Sequence, residues 1–138
     1  MNLIRRKVAL GLAGLCAAPA VSLAQAYPAR PIRLIVAFAA GGPTDLLARM
    51  VATGLTKALG QQVIVDNRPG AGGMLGTREA ARAAADGYTL LFAGDAALCV
   101  QPQLSGSAGY DPLKDFTPLR LVASQSNVLA VHASRGIN

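Results

Sequence analysis

Apolar positions along this chain switch between two spacings. Ile32 to Phe38 is a near-continuous apolar run, interrupted only by Arg33, and reads as a strand buried on both faces. Gly41-Gly42-Pro43 breaks it. Thr44 stands where an N-cap is expected, and Asp45 suits the positive end of a helix dipole. Leu47, Met50, Val51, Gly54, Leu55, Ala58 and Leu59 then recur three and four residues apart, which is one apolar helix face. Gly60 is placed to end that helix.

The pattern repeats. Val63-Ile64-Val65 reads as a second strand, Asn67 to Gly73 as a glycine-rich loop, and Leu75 to Ala85 as a second helix stopped by Asp86-Gly87. Tyr88 to Ala93 reads as a third strand. The loop Gly94-Asp95-Ala96-Ala97 leads into a short helix near Leu98 to Leu104. After the polar stretch Ser105 to Gly109 and the turn Tyr110-Asp111-Pro112, two further strands are expected at Leu119 to Ser124 and Val128 to His132. Strands alternating with helices across short connections predict an α/β domain with a mostly parallel sheet flanked by helices. Val128 to His132 stands close to the end of the sequence with no following helix, so the domain reads as truncated.

The first 26 residues change the compartment. Arg5-Arg6-Lys7, the apolar stretch Val8 to Ala18, Pro19 and Ala24-Gln25-Ala26 have the layout of a cleaved export signal, and the apolar stretch is too short to span a bilayer. Arg5-Arg6 hints at twin-arginine export, but the residues around it favour the general secretory route. Residues 1–26 are therefore read as a signal peptide and residues 27–138 as the domain, with the mature product periplasmic. Cys16 leaves with the signal. Cys99 then stands alone, so no disulfide forms within the chain, and its apolar surroundings predict a small buried residue.

Composition narrows the functions. Hydrophobic residues make up 52% and charged residues 14%, a folding composition. The formal charge of +6 is half signal peptide: beyond residue 26, ten Lys and Arg face seven Asp and Glu, scattered singly. With 4% aromatics and no basic stripe, nucleic acid is excluded as a partner.

The chemistry therefore lies in the glycine loops. Glycines 41, 42, 70, 72 and 73 let backbone N–H groups approach a ligand, and the helices behind them add positive dipole ends. Two strand–loop–helix units in tandem aim both at one sheet edge, a site for a small anion that needs no charged side chain. A phosphate loop is excluded because no Gly-Lys-Ser/Thr follows. Gly70-Ala71-Gly72-Gly73-Met74-Leu75-Gly76 misses the dinucleotide spacing by one residue. His132 has no partner motif, no nucleophile elbow exists, and no His/Cys cluster has metal-ligand spacing, so neither catalysis, metal nor cofactor is expected. Asp66 and Arg68 are read as ordering the second loop. Asp95 reads equally as a partner for a ligand amine and as a helix cap.

At these residues the chain resembles the N-terminal part of the Bug-type periplasmic solute receptors of tripartite tricarboxylate transporters. The resemblance runs from Tyr27 to Asn138. It rests on Tyr27-Pro28-x-Arg30-Pro31-Ile32-Arg33-Leu34-Ile35-Val36, Gly41-Gly42-x-Thr44-Asp45-x-Leu47-Ala48-Arg49 and Val65-x-Asn67-Arg68-Pro69-Gly70-Ala71-Gly72-Gly73. Asp86-Gly87-Tyr88-Thr89-Leu90-Leu91, Tyr110-Asp111-Pro112-x-Lys114-Asp115-Phe116 and Leu121-Val122-Ala123-Ser124 complete it. The resemblance implies one lobe of a two-lobe, type II periplasmic-binding-protein-like clamp, cut off before the second lobe. It implies a monomer that binds a small carboxylate and serves the membrane permease subunits of the transporter. Carried over, the ligand-binding positions are Phe38, Ala39, Ala40, Gly41 and Gly42 with Asp45, then Ala71, Gly72 and Gly73, and Gly94, Asp95, Ala96, Ala97 and Leu98. The chain departs from the family pattern at Ala39 and Ala40, where prolines are usual, and at Ala97 and Leu98, where hydroxyl and His side chains are usual. Two other readings stand beside this one: a truncated receptor fragment without function, and a small secreted α/β hydrolase.

Overall fold

The computed structural model describes residues 26–124 together with 131, 132 and 134. Residues 1–25 of the segment read as an export signal and most of the strand expected at Val128 to His132 lie outside the described residues. Within them, β1 (Ile32–Val36) is the centre of a three-stranded parallel sheet, between β2 (Val63–Asn67) and β3 (Thr89–Phe92). Leu34 stands opposite Val65 on one side and Leu90 on the other. A central strand is covered on both faces, which is why its sequence is almost wholly apolar. Ile32, Ile35 and Val36 are fully buried.

The two faces carry different helices. Ile32, Leu34 and Val36 pack with Ala48 and Ala52 of α1 (Pro43–Leu59), with Val63 closing the cluster. On the opposite face Arg33 reaches across to Glu79 of α2 (Met74–Ala81) and to Asp66 of β2, with Arg68 bonded to Asp66 at 3.1 Å. This ion network replaces apolar packing at one sheet position. Burial by itself raises Asp66, but Arg33 and Arg68 outweigh it and hold the carboxyl below its ordinary range.

The N-terminal lead-in is tied to the far end of the sheet. The Tyr27 hydroxyl donates to Gly87 O at 2.7 Å, Ala29 N–H to the Tyr88 hydroxyl at 2.9 Å, and Arg30 pairs with Asp86.

Several boundaries depart from the sequence reading. β1 stops at Val36 and β2 runs on to Asn67. Thr44 is not the N-cap. Gly42 holds that position and Pro43 takes the first helical turn, where its missing N–H is no loss. The Asp45 carboxylate reaches back to Gly41 N–H at 2.9 Å, one residue before the N-cap, so it braces the loop and leaves the first turn of the helix without a side-chain cap. Gly60 ends α1 in the left-handed conformation, as expected (φ 66°). α2 ends at Ala81, not Ala85, because Arg82 N–H closes a tight final turn onto Arg78 O and Glu79 O. The short helix near Leu98 to Leu104 is a wide π-type turn (Ala96–Val100) followed by α3 (Gln101–Leu104). Gln101 N–H reaches back five residues to Ala96 O, just ahead of Pro102, which has no N–H for a regular ladder. Leu119 to Ser124 is not a strand. Leu119 and Leu121 are exposed, and among the described residues no neighbouring strand supplies hydrogen-bond partners. Cys99 is exposed, since it lies on the outer side of the π turn whose Ala97 is the buried member.

Candidate functional site

In a parallel sheet all three strands deliver their following loops to one edge. Here those loops are Ala37–Gly42 after β1, Arg68–Gly73 after β2, and Ala93–Asp95 after β3. The edge thereby collects the two glycine loops and the third loop that the sequence singled out.

The first loop is braced from inside. Asp45 is 2% exposed, and every oxygen is used: Oδ2 accepts from Gly41 N and from Arg49 Nε, both at 2.9 Å, and Oδ1 accepts from Asn67 Nδ2 at 2.9 Å. The Arg49 hydrogen bond, then Gly41 N–H and the Asn67 amide, bring its carboxyl down to about 2. Asp45 therefore shapes the loop and has no free oxygen for a ligand. Leu46 N–H makes the first backbone bond of α1, to Gly42 O at 3.1 Å. Thr44 and Asp45 N–H lie in the first turn, where a helix has no internal acceptor, and no side chain caps Gly42.

The second loop is folded by conformations that L side chains resist. Gly70, Ala71, Gly72 and Gly73 all have positive φ (138°, 49°, 64° and 94°). At Gly73 a Cβ would lie 3.0 Å from Ala97 Cβ and 3.5 Å from Phe38 Cζ, so glycine lets three loops meet. At Gly72 a Cβ would lie 2.3 Å from Gln101 Nε2. Gly73 N–H turns back to Gly70 O at 3.0 Å, and buried Thr77 donates to Gly73 O at 2.9 Å. No side chain caps α2.

The third loop is a wall more than a contact surface. Ala97 is fully buried, and its carbonyl accepts from the Tyr110 hydroxyl, which burial pushes upward in pKa. The Asp95 carboxylate accepts from Ala96 N at 2.9 Å, so it caps the π turn, while the side chain stays exposed.

Of the residues expected at the site, Phe38, Gly73, Gly94 and Ala97 are brought into mutual packing. Ala39, Ala40, Gly41, Ala71, Gly72 and Asp95 are exposed along the same edge, with Gly42, Ala96 and Leu98 half-buried beside them. Sequence reasoning missed three residues that touch these loops: the side chain of Asn67, Gln101 over Gly72, and Tyr110 on Ala97. The first has a readable signal in hindsight, because a polar residue closing an apolar strand beside Gly-rich loops needs partners. The others come from a helix and a turn distant in sequence.

The arrangement offers two helix N-termini without side-chain caps at one edge, each worth about half a positive charge; the first-turn N–H groups of α1 face it, while Gly73, Met74 and Leu75 N–H turn back onto Gly70 O and Ala71 O. That suits a carboxylate. Asp95 opposes an anion at the third loop and so favours placement against the first two. Two shallow hollows, one between α1 and β2 and one lined by Arg33, Leu75 and α2 residues, lie beside the sheet and not at this edge. Among the described residues no group of His, Cys, Asp and Glu could hold a metal, and no helix is long and apolar enough to cross a membrane.

Comparison with known proteins places these features in context. Residues 47–138 match the model of the tripartite tricarboxylate transporter family receptor. The protein BugT of Bordetella pertussis is 46% identical over 137 residues, covering 96% of this chain and 41% of BugT. MatC of Rhodopseudomonas palustris, solved with bound malate, is 40% identical with a TM-score of 0.67, covering 70% of this chain and 33% of MatC. An R. palustris protein solved with adipate is 38% identical with a TM-score of 0.64, covering 67% of this chain and 31% of that one. The chain spans about a third to two fifths of the length of the curated relatives it matches (34% and 41%).

Proposed function

The chain belongs to the tripartite tricarboxylate transporter receptor family, and from that premise we propose that it supplies the carboxylate-gripping lobe of an extracytoplasmic solute receptor. It is a solute-receptor chain and not an enzyme, with the α/β lobe of periplasmic binding proteins. In the proposed reading a small carboxylate sits against the edge where β1 and β2 end. It is held by the backbone N–H groups of Gly42, Thr44, Asp45 and Gly72 and by the dipoles of α1 and α2, while Gly41 and Gly73 spend their own N–H groups on shaping the loops. Neutral donors bind an anion without a buried ion pair, so release to membrane permease subunits costs little. The periplasm, reached by the export signal, is the proposed compartment.

The observation that carries this reading is the pair of glycine-rich helix starts, uncapped by side chains, at one sheet edge. The relatives solved with malate and with adipate support the ligand class. The permease partner rests on family membership alone. A site with one wall buries little of a ligand, and much of the affinity for small molecules comes from burial. The test is therefore read residue by residue. Titrating the 15N-labelled protein with malate or adipate to millimolar concentration is expected to move the amide signals of Gly42, Thr44, Asp45 and Gly72 together. Movement confined to the hollow beside α1 and β2, or none at all, refutes the reading.

A further inference from the structure

Asn67 closes β2 at the root of the second glycine loop, and its side-chain amide is fully used. Nδ2 donates to Phe38 O at 3.1 Å and to Asp45 Oδ1 at 2.9 Å, while Oδ1 accepts from Arg49 Nη2 at 3.3 Å. The partners dictate the amide orientation: two acceptors face the NH2 group and a cationic donor faces the oxygen. Both acceptors belong to the first loop. Phe38 opens it, and Asp45 closes it by holding Gly41 N–H on its other oxygen. The root of one loop thus grips both ends of the other. The Phe38 ring extends the grip, since Cβ atoms on Gly73 and Gly94 would lie 3.5 and 3.8 Å from it.

We propose that Asn67 is a positioning residue that sets the first glycine loop against the second, with Phe38 carrying the setting to the third. This deepens the carboxylate site proposed above and rests on it for its purpose, but the coupling is a property of the free chain. Aspartate has the shape of asparagine and none of its donors. At position 67 it would put a carboxylate against the Asp45 carboxylate and the Phe38 carbonyl, with Arg49 the facing cation. Neighbouring Asp66 and Arg68 are committed to Arg33 and Glu79. Two carboxylates in contact take up one proton more readily than either alone, and that proton returns one donor to the gap. Leucine removes the donors without adding charge.

The test follows the amide signals of Gly41, Gly73 and Gly94 without ligand, in the wild type, Asn67→Asp and Asn67→Leu. In both variants at pH 7 all three signals are expected to shift, Gly41 from its lost anchor and Gly73 and Gly94 from displacement of the Phe38 ring. Signals of the central ladder, such as Leu34, should hold. In Asn67→Asp the three signals should return toward wild type below about pH 5, where a like-charge carboxylate pair takes up its first proton, and in Asn67→Leu they should not. Movement of Gly41 with Gly73 and Gly94 unmoved overturns the coupling, as does identical pH behaviour of the two variants. Asn67→Leu carries the comparison if the aspartate variant does not fold. A malate titration of the wild type separates the two claims: no response there defeats the carboxylate reading and leaves the coupling result standing.

Discussion

Replacing Gly76 by alanine puts a methyl group into a gap lined mainly by backbone. Gly76 is a buried residue of α2, and a Cβ there would lie 2.7 Å from Arg68 O, 3.0 Å from Ala37 Cα and 3.2 Å from Arg68 Cβ. Ordinary contact begins near 3.4 Å, so α2 must retreat by about 0.7 Å. Overpacking of this kind costs about 1–3 kcal/mol, and rigid partners place it toward the upper end. Alanine returns about 1 kcal/mol of helix propensity, leaving a net loss of about 2 kcal/mol. In a domain of this size that lowers Tm by about 8–16 °C. The control is Gly54→Ala on α1, where nothing lies within 4 Å and alanine should raise stability by up to about 1 kcal/mol. The assay is thermal unfolding of the three proteins by circular dichroism at pH 7. A Gly76→Ala protein melting at or above wild type would refute the close approach of α2 to β1 and to the second loop. Equal loss in both variants would refute the difference in packing between the two helices.

Two further outcomes are expected. Gly72→Asp should abolish the malate-induced amide shifts, because it adds a carboxylate beside the proposed anion position at a residue of φ 64° whose Cβ meets Gln101; an unchanged response counts against the site. Asp45 is lowered from 3.8 to about 2 in the folded chain, so its contribution to stability is complete above about pH 4 and is lost as pH falls toward 2. Asp45→Asn should flatten that part of the urea-midpoint profile between pH 4 and 2, and an unaltered profile argues against the Gly41–Asp45–Asn67 bracing.

Much of this molecule was legible before folding was considered. The apolar run of β1, the three-and-four spacing of α1, Gly60 as its stop and the two glycine loops followed from period and turn chemistry, which are local. The α/β class followed from the alternation of those elements. The misreadings share a cause. Thr44 lost the cap position to Gly42, whose extended backbone puts Pro43 in the first turn, and Asp45 turns inward to Gly41 because Asn67 from β2 and Arg49 one turn on hold its carboxylate there. Leu119 to Ser124 has strand composition, yet a strand exists only where another supplies its hydrogen bonds. Cys99 sits in an apolar segment, but a wide turn ahead of Pro102 rotates it outward.

By itself, then, the sequence determined the first three strands, the two longer helices and the glycine turns, and that three loops gather where those strands end, because parallel pairing sends every following loop to one edge. Only the tertiary structure decided which side chains are spent inside the loops. Asp45 turns inward, Asn67 joins two loops, and Ala97 becomes a wall under Gly73. Those roles depend on contacts between residues 22 to 29 positions apart or more, and no local pattern along the chain encodes a distance across the sheet edge.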